Sequence, residues 1–396
     1  MEQRRHRTGG LPARSVWEER LSRRRVLKSA GFGLGVLASG PLLAACSNDE
    51  GGGTTGATAA TGASGATGAA LDVVNVGFAY IGPVTDNGWT FTHDEGRQAM
   101  DGALGDTVKS SYVENVPISA EASQTFEQLA SENQLVVANT EYANFLSDVA
   151  ARHADVAFLE ADGHTYTDNL FAYYVEHSRP NYLLGVAGAS LSKTGKLGYV
   201  GAFPTATAWN DTNPMLLGAQ TVNPDATVQA VMISSFFDPQ KATQATNALI
   251  DGGVDFVFAV MDEPSFLQVC EERGVWGAAW NTDIREFGPH AYVNTYQLDW
   301  GPFYTEQATA VLNGTWTSQT DVDLLPLALG SWGDDVPSEV IDAVDAADAA
   351  LGSAATPYIG PLSDDSGQEQ VPAGETLTPE QAYAIDWGLS GVSGVV

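Results

Sequence analysis

The chain of 396 residues contains only two cysteines, Cys46 and Cys270. Because a single cysteine remains after Cys46, that part of the chain can form no internal disulfide, and no Cys/His cluster has zinc-site spacing. The six histidines show no metal-ligand spacing and no nucleophile partner. These absences exclude a disulfide scaffold, and we expect neither a metal nor another cofactor. Cys270 lies in a helical pattern and is expected to be a small buried residue.

Basic residues are scarce, with 18 Lys and Arg against 49 Asp and Glu. Nine basic and three acidic residues precede Cys46, which leaves nine basic and 46 acidic residues, and a net charge of −37, after it. A nucleic acid partner is excluded, because phosphate backbones need a basic surface. Such acidity is typical of high-salt surroundings, where screening weakens self-repulsion. We therefore expect a halophilic source; the alternative is that the acidity only maintains solubility.

Three sequence signs of enzyme chemistry are missing. The chain has no Gly-x-Ser-x-Gly nucleophile elbow, no phosphate-binding loop and no carboxylate cluster with metal spacing. We therefore expect a binding protein and not an enzyme. The alternative from another class is an enzyme that processes a nucleobase or nucleoside.

The first 46 residues match an export signal. Residues 22–28 fit the twin-arginine pattern. The apolar stretch 30–45 that follows is too short to span a bilayer core of about 30 Å. It ends in Leu43-Ala44-Ala45-Cys46, the pattern of a lipobox, so Cys46 is predicted to carry lipid. We predict a twin-arginine lipoprotein signal over 1–46 and a protein anchored to the extracytoplasmic face of the cell membrane; the alternative is an ordinary signal peptide with an incidental cysteine.

Residues 47–71 consist largely of Gly, Ala, Thr and Ser. Such a stretch cannot form a core, so it predicts a flexible tether. The remaining ~325 residues suit two lobes of about 100–200 residues each.

From Val73 onward, short apolar segments alternate with helical patterns. This alternation predicts a doubly wound α/β fold with parallel strands. Strands are predicted over 73–80, 135–138, 154–159, 197–200, 227–233, 254–260, 276–280 and 291–295, and helices over 97–104, 122–133, 239–251 and 265–273.

The loops after these strands are rich in aromatic and small polar residues. Ligands of parallel α/β sheets bind beyond the carboxyl ends of the strands. Aromatic faces with a few acids and amides favour a flat, weakly polar ligand that carries N–H donors. The loops concerned are 82–90, 139–142, 235–239, 261–264, 281–283 and 297–300.

Several segments, in order and spacing, resemble the basic membrane protein (BMP) family of ABC-transporter substrate-binding lipoproteins, which bind purine nucleosides or related bases. They are Val76–Pro83, Gly88–Arg97, Val200–Pro204, Val222–Asp225, Phe237–Pro239, Trp300–Pro302, Ile359–Pro361, Val371–Glu375 and Asp386-Trp387. The resemblance implies a type I periplasmic-binding-protein fold, with two lobes, a hinge of three crossing strands and a ligand cleft between. We assign 72–180 and 284–325 to lobe 1, and 181–283 and 326–396 to lobe 2. It also implies ABC permease and ATPase subunits as partners, and we expect a monomer.

The resemblance assigns roles to residues of the loops. Trp89 would stack on the ligand, and Phe237 or its neighbour Phe236 would form the opposite wall. On lobe 1, the residues expected to face the cleft are Thr90, Glu141 and Tyr142. On the hinge and lobe 2, they are Asp262, Asn281, Asp283 and Trp300.

Other interpretations of these residues stay open. Trp89 could instead cap the edge of a hydrophobic core. Glu141 could cap the next helix, and Asp262 and Asn281 could do the same. Asp238, which precedes Pro239, fits a helix cap better than a ligand contact.

Two departures from the family pattern concern the sugar site. Nucleoside binders of the family place an aspartate near position 281 and a lysine shortly before position 300. Here position 281 is Asn281, and residues 296–299 contain no lysine. The segment 178–182 is altered as well. The ligand is therefore either a nucleoside, a free purine base or another small heteroaromatic, and a ligand-sensing lipoprotein for a signalling partner is a second functional interpretation.

Overall fold

The computed structural model describes residues 69–86 and 88–395. The predicted signal, Cys46 and nearly all of the predicted tether lie outside these residues. The first of two large sheets consists of six parallel strands, which are β1 (Val74–Ala79), β2 (Val108–Val113), β3 (Leu135–Ala138), β4 (Ala157–Ala161), β5 (Leu170–Glu176) and β11 (Asp323–Pro326). Their spatial order is β11-β5-β4-β3-β1-β2.

The second sheet also has six parallel strands. They are β6 (Lys196–Gly201), β7 (Thr227–Met232), β8 (Phe256–Ala259), β9 (Trp276–Asn281), β10 (Tyr292–Gln297) and β14 (Val392–Ser393). Their spatial order is β10-β9-β8-β6-β7-β14. A short antiparallel pair, β12 (Leu362–Ser363) and β13 (Glu369–Val371), lies in the C-terminal segment.

Helices connect the parallel strands. They are α1 (Trp89–Leu104), α2 (Ala120–Glu132), α3 (Asn144–Ala150), α4 (Ser178–Leu191), α5 (Ala206–Val222), α6 (Pro239–Asp251), α7 (Ser265–Arg273), α8 (Gly301–Leu312), α9 (Ser338–Leu351) and α10 (Pro379–Tyr383). In the part of the chain that the structure covers, none of them combines the length and the apolar character of a membrane-spanning helix.

The expected α/β architecture is confirmed, and the chain passes between the two sheets three times. The first passage follows β5, the second follows β10 and the third follows β11. The predicted lobe boundary at 283/284 is wrong for β10, because Tyr292–Gln297 pairs with β9 of the second sheet. Lobe 1 begins again only at α8, which packs against α1. The assignment of the remaining segments to lobes stays a prediction.

Burial of apolar side chains stabilises both sheets. All four residues of β3 and all four of β8 are buried, as expected for parallel strands covered on both faces. Each lobe has its own hydrophobic cluster, one around Phe126 and Leu146 and the other around Phe266 and Leu267. Cys270 is fully buried in the second cluster, as predicted, and burial raises the pKa of its thiol to about 12.

Helices α4 and α5 meet backbone to backbone at two glycines. A Cβ on Gly218 would lie 1.9 Å from the carbonyl oxygen of Tyr182, and a Cβ on Gly185 would lie 2.0 Å from that of Met215. No side chain can yield at these contacts, because the opposing atoms belong to the backbone. The pair therefore depends on both glycines.

Replacing Gly218 with alanine should lower the free energy of unfolding by about 1–3 kcal/mol, the usual cost of overpacking a buried contact. Denaturant unfolding of the variant and the wild-type chain measures this change. Gly102→Ala is the matched control, because a Cβ added to Gly102 in α1 would meet no atom within 4 Å. That control should raise stability by about 0.5–1 kcal/mol through helix propensity. Equal stability of the two variants would contradict the proposed contact.

Candidate ligand-binding cleft

The N-terminus of helix α1 lies at the carboxyl end of the first sheet. The Asp86 carboxylate accepts hydrogen bonds from the backbone N–H groups of Gly88, Thr90 and Phe91, at 2.9, 3.1 and 2.9 Å. These groups have no partner within the helix. Asp86 therefore fixes the direction in which α1 leaves the loop after β1.

The fourth N–H group of this turn bonds to a residue of the other lobe. The Trp89 N–H donates to Oδ1 of Asp262, which follows β8, at 3.0 Å. Asn281 Nδ2 donates to the same oxygen at 3.3 Å. Gly88 permits this approach, because a Cβ at that position would lie 2.2 Å from Asp262 Oδ1. Asp262 thus joins lobe 2 to the first turn of α1.

The surroundings of Asp262 favour its protonated form. Burial of the half-buried Asp262 carboxyl, followed by repulsion from Asp86, raises its pKa to about 7. The hydrogen bonds from Trp89 and Asn281 act in the opposite direction. Near neutral pH the group therefore exists in both forms and can either accept or donate a hydrogen bond.

Trp89 is the centre of an aromatic cluster that spans the two lobes. Its ring stacks on Trp280 with a centroid separation of 5.6 Å and an interplanar angle of 7°. Trp300 meets it edge-on at 5.5 Å, and Tyr174 lies 6.0 Å away. The indole N–H of Trp89 donates to the carbonyl oxygen of Asn139. The ring is therefore held in place from both lobes.

His93 packs against Trp89 and Trp300 of this cluster. It is fully buried, stacks on Trp300 at 4.3 Å and hydrogen bonds to the Tyr304 hydroxyl through Nδ1. Burial lowers the pKa of His93 well below its usual value. His93 is accordingly a neutral packing residue.

A second group of residues lies at the ends of β4 and β5. Asp162 follows β4, and its carboxylate accepts a hydrogen bond from the Tyr383 hydroxyl of α10 at 2.6 Å. Burial raises the pKa of Asp162 to about 6. Tyr383 also contacts Tyr174 and His164, with ring centroids 5.6 and 5.4 Å apart. The aromatic surface therefore continues from Trp89 through Tyr174 to the C-terminal segment.

A buried polar network lies next to Tyr174 in lobe 2. The Asp211 carboxylate accepts hydrogen bonds from His177 Nδ1, Asn181 Nδ2 and the Tyr199 hydroxyl, at 2.7, 2.8 and 2.6 Å. Burial alone would lower the pKa of His177, but the Asp211 carboxylate raises it above its usual value. Both carboxylate oxygens of Asp211 therefore accept hydrogen bonds from buried side chains, and the network holds these side chains together.

A cavity of about 580 Å³ adjoins the aromatic cluster. One wall is the face of α1 between Phe91 and Ala99, and the others are residues 281–283 and 297–300. Asn281 and Trp300 thus belong both to the cavity and to the surroundings of Trp89.

Most of the predicted cleft residues lie near this centre. Thr90 is fully buried, and its hydroxyl accepts from Asn139 Nδ2 at 3.4 Å. Asp283 lies at the mouth of the cavity and pairs with Arg285 at 2.6 Å. A ligand contact for these residues stays a prediction.

The prediction for Tyr142 is wrong. Its ring is fully buried against Phe126 in the hydrophobic cluster of lobe 1, and its hydroxyl donates to the carbonyl oxygen of Val116. The preceding residue, Glu141, remains accessible and lies 3.4 Å from His164. Helix α3 has no side-chain cap, so the alternative of Glu141 as a cap is wrong.

The loop after β7 is exposed. Phe237 has 59% of its surface accessible and Phe236 43%, and Phe236 meets Phe203 edge-on at 5.7 Å. Neither of the two rings is among the aromatic contacts of Trp89, so the role of Phe237 as the opposite wall stays a prediction. Asp238 accepts from the Lys241 N–H and caps α6, as predicted.

Several residues of the cleft were not predicted from the sequence, namely Trp280, Tyr174, Asp162 and Tyr383. Trp280 and Asp162 lie at the end of a strand or just after one, which is a detectable signal. Tyr383 lies more than 200 positions from Asp162, and no local pattern links the two. Among residues 69–86 and 88–395, no group of three His, Cys, Asp or Glu could hold a metal ion.

The sequence of the chain is similar to those of known proteins. The family model described as "ABC transporter substrate-binding protein PnrA-like" matches residues 73–324. A purine-binding protein of Brucella abortus is 33% identical over 334 residues, which cover 82% of this chain and 94% of the relative. A protein of Haloferax volcanii that is named as an ABC transporter glucose-binding protein is 32% identical, with 71% and 72% covered.

Solved structures share the fold at low sequence identity. A solute-binding protein of an ABC transporter system from Conexibacter woesei has a TM-score of 0.56 at 21% identity, with 71% of this chain and 97% of that chain covered. One from Aeropyrum pernix has a TM-score of 0.58 at 18% identity, with 78% and 84% covered.

Proposed function

Because the chain belongs to the family of PnrA-like ABC transporter substrate-binding proteins, we propose that it binds a purine base or nucleoside between its lobes and delivers this ligand to a membrane permease. The partners would be the permease and ATPase subunits of an ABC importer. The protein would act by binding and release, without chemical conversion of the ligand.

The observation that carries the proposal is the position of Trp89 between the two lobes. Its ring faces Trp280 in a nearly parallel orientation, and polar side chains surround the pair. Stacking of a base on one aromatic face is worth about 1–3 kcal/mol. The carboxyl groups of Asp262 and Asp162 can accept hydrogen bonds from ring N–H groups of a purine.

Entry of a ligand between the tryptophans requires movement of the lobes. Carbon atoms in contact lie about 3.5–4.0 Å apart, so a ring placed between two others needs about 7–8 Å between the outer planes. The Trp89 and Trp280 centroids are 5.6 Å apart. The distance between the two nearly parallel planes cannot exceed this value, so a ring bound there would separate the lobes by at least about 2 Å, a hinge motion of the kind common in binding proteins.

The proposal predicts that the full chain binds at least one of adenine, guanine, hypoxanthine, xanthine or their nucleosides, measured by isothermal titration calorimetry. Glucose serves as the comparison ligand. Trp89→Ala should weaken the binding of that purine more than about tenfold, because it removes a stacking face. Tyr112→Ala, which removes an exposed ring on the edge strand β2, should leave the affinity unchanged. Binding of glucose without any purine would contradict the proposed ligand class, and unchanged affinity of Trp89→Ala would remove Trp89 from the site.

We also propose that the protein is exported by the twin-arginine route and anchored by lipid on Cys46. Residues 22–28 and the lipobox 43–46 support this proposal. In the host cell, Cys46→Ala should move the protein from the membrane fraction into the medium. Replacement of Arg23 and Arg24 by lysine should leave it unprocessed inside the cell. Membrane retention of the Cys46→Ala variant would contradict lipid anchoring.

The acid surplus of the chain supports a halophilic source.

A further inference from the structure

Three side chains of lobe 1 contact Tyr383, which belongs to the C-terminal helix α10. We propose that Tyr383 is a latch: it holds the lobes together at the ends of β4 and β5, apart from the contact between Trp89 and Asp262, and it slows release of the ligand. Its role in release rests on the proposed function, whereas its role in closure does not.

Helix α10 is attached to the second lobe. It packs against α5, which connects β6 and β7 of the second sheet. Ala382, next to Tyr383 in the chain, is fully buried in a hydrophobic cluster against which Trp209 of α5 packs. The backbone of Tyr383 therefore moves with lobe 2.

The chain is fixed on both sides of α10. At the start of the helix, Thr378 and Gln381 form a capping box, in which each backbone N–H donates to the other side chain, at 2.9 and 3.2 Å. Beyond its end, the Asn213 side chain of α5 accepts from the Leu389 N–H and donates to the Trp387 carbonyl oxygen, both at 2.9 Å. The packing of lobe 2 therefore determines where the helix presents its last side chain.

The partners of the Tyr383 side chain belong to lobe 1. Its hydroxyl donates to Asp162 Oδ1 at 2.6 Å, and its ring stacks on His164 with a centroid separation of 5.4 Å and an interplanar angle of 17°. Tyr174 of β5 lies 5.6 Å away. Together these contacts leave Tyr383 only 5% exposed. Because Tyr383 and its partners are carried by different lobes, separation of the lobes at this edge must break the contacts.

The hydrogen bond to Asp162 has an ionised acceptor. Burial raises the pKa of Asp162 to about 6, and the bond from Tyr383 acts in the opposite direction. The carboxyl group is therefore mainly ionised at neutral pH. Hydrogen bonds to ionised acceptors are about twice as strong as those between neutral groups. This bond is therefore the contact of the latch whose removal should have the largest effect.

Tyr174 connects the latch to the aromatic cluster. Its ring lies 5.6 Å from that of Tyr383 and 6.0 Å from that of Trp89. A ligand held at Trp89 leaves when the lobes separate, and this separation also breaks the bond between Tyr383 and Asp162. The latch therefore adds to the barrier for release.

The first experiment measures closure of the full chain without ligand. Spin labels at Ser131→Cys and Ala248→Cys, in a Cys46→Ala background, report the distance between the lobes by double electron–electron resonance. Tyr383→Phe removes only the hydroxyl. At neutral pH it should lower the ratio of closed to open molecules about tenfold or more, because a hydrogen bond to a charged group contributes at least this factor.

Tyr358→Phe is the matched control. Tyr358 is also a buried tyrosine of the C-terminal segment, but its hydroxyl donates to Asn210 of α5 at 3.0 Å, on the lobe to which α10 is attached. Loss of this hydroxyl should leave the ratio of closed to open molecules unchanged, even where it lowers the stability of the fold.

The second experiment measures release of a purine that binds to the full chain. The bound purine is displaced by an excess of a competing purine, and tryptophan fluorescence is followed by stopped flow. Tyr383→Phe should raise the dissociation rate constant about tenfold, since the bond that must break before release is missing. Tyr358→Phe should leave this rate constant unchanged.

Failure of the latch can be told apart from failure of the proposed function. The latch is overturned if the wild-type chain has no closed population, if Tyr383→Phe leaves the ratio of closed to open molecules unchanged, or if Tyr358→Phe lowers it equally. A lowered ratio with an unchanged dissociation rate constant overturns the role in release alone. If no purine binds while only Tyr383→Phe lowers the ratio, the proposed function fails and the latch stands.

Discussion

The hydrogen bond from the Trp89 N–H to Asp262 is the contact on which the cleft depends. The first N–H groups of a helix lack partners within the helix. In α1, the Asp86 carboxylate of the same lobe accepts hydrogen bonds from three of them. The fourth, the N–H group of Trp89, donates to Asp262 of the other lobe. Because Gly88 has no side chain, the two lobes meet here without steric conflict. The first turn of α1 is therefore completed only when the lobes come together.

This contact also explains the organisation of the aromatic residues. Trp89 is the first residue of α1, so the bond that fixes its backbone also sets its ring against Trp280. Trp300 and the neutral His93 hold the ring from the side of lobe 1. The acidic residues around the pair leave the cleft rich in acceptors, which suits a ligand with several donors. Aromatic faces can stack on a flat ring, and carboxyl groups at their edges can accept hydrogen bonds from N–H groups.

Much of this arrangement follows from local sequence patterns. The eight predicted strands are all present within a few residues, because buried parallel strands consist of nearly continuous apolar residues. Strands β2, β5, β11 and β14 of the two large sheets were not predicted. For β2 the reason is a largely exposed, polar sequence at the edge of its sheet, whereas β5 is buried and was missed all the same. Strand β10 was predicted, but its sheet was not, because the choice of neighbouring strand depends on long-range pairing.

The cleft residues show the same limit. Asn281 ends β9, Asp262 lies in the loop after β8, and Trp89 begins the helix that follows β1. The sequence pattern identified all three. The pattern could not tell Glu141 from Tyr142, since neighbouring residues after a strand point in opposite directions. Tyr383 reaches Asp162 only through the packing of the C-terminal segment, so it carries no local signal.

The most direct test of this contact is the distance between the lobes of the full chain as a function of pH. Spin labels at Ser131→Cys and Ala248→Cys, in a Cys46→Ala background, report that distance by double electron–electron resonance. In the closed structure, burial raises the pKa of Asp262 to about 7. Opening that exposes this carboxyl would return its pKa towards the ordinary value, so between those two pH values closure takes up a proton and is favoured as the pH falls. We expect a larger closed fraction at about pH 5.5 than at about pH 8, and a much weaker pH response in Asp262→Asn, whose neutral amide keeps the acceptor oxygen. An equal pH response in both proteins, or closure that increases with pH, would contradict the central role of Asp262.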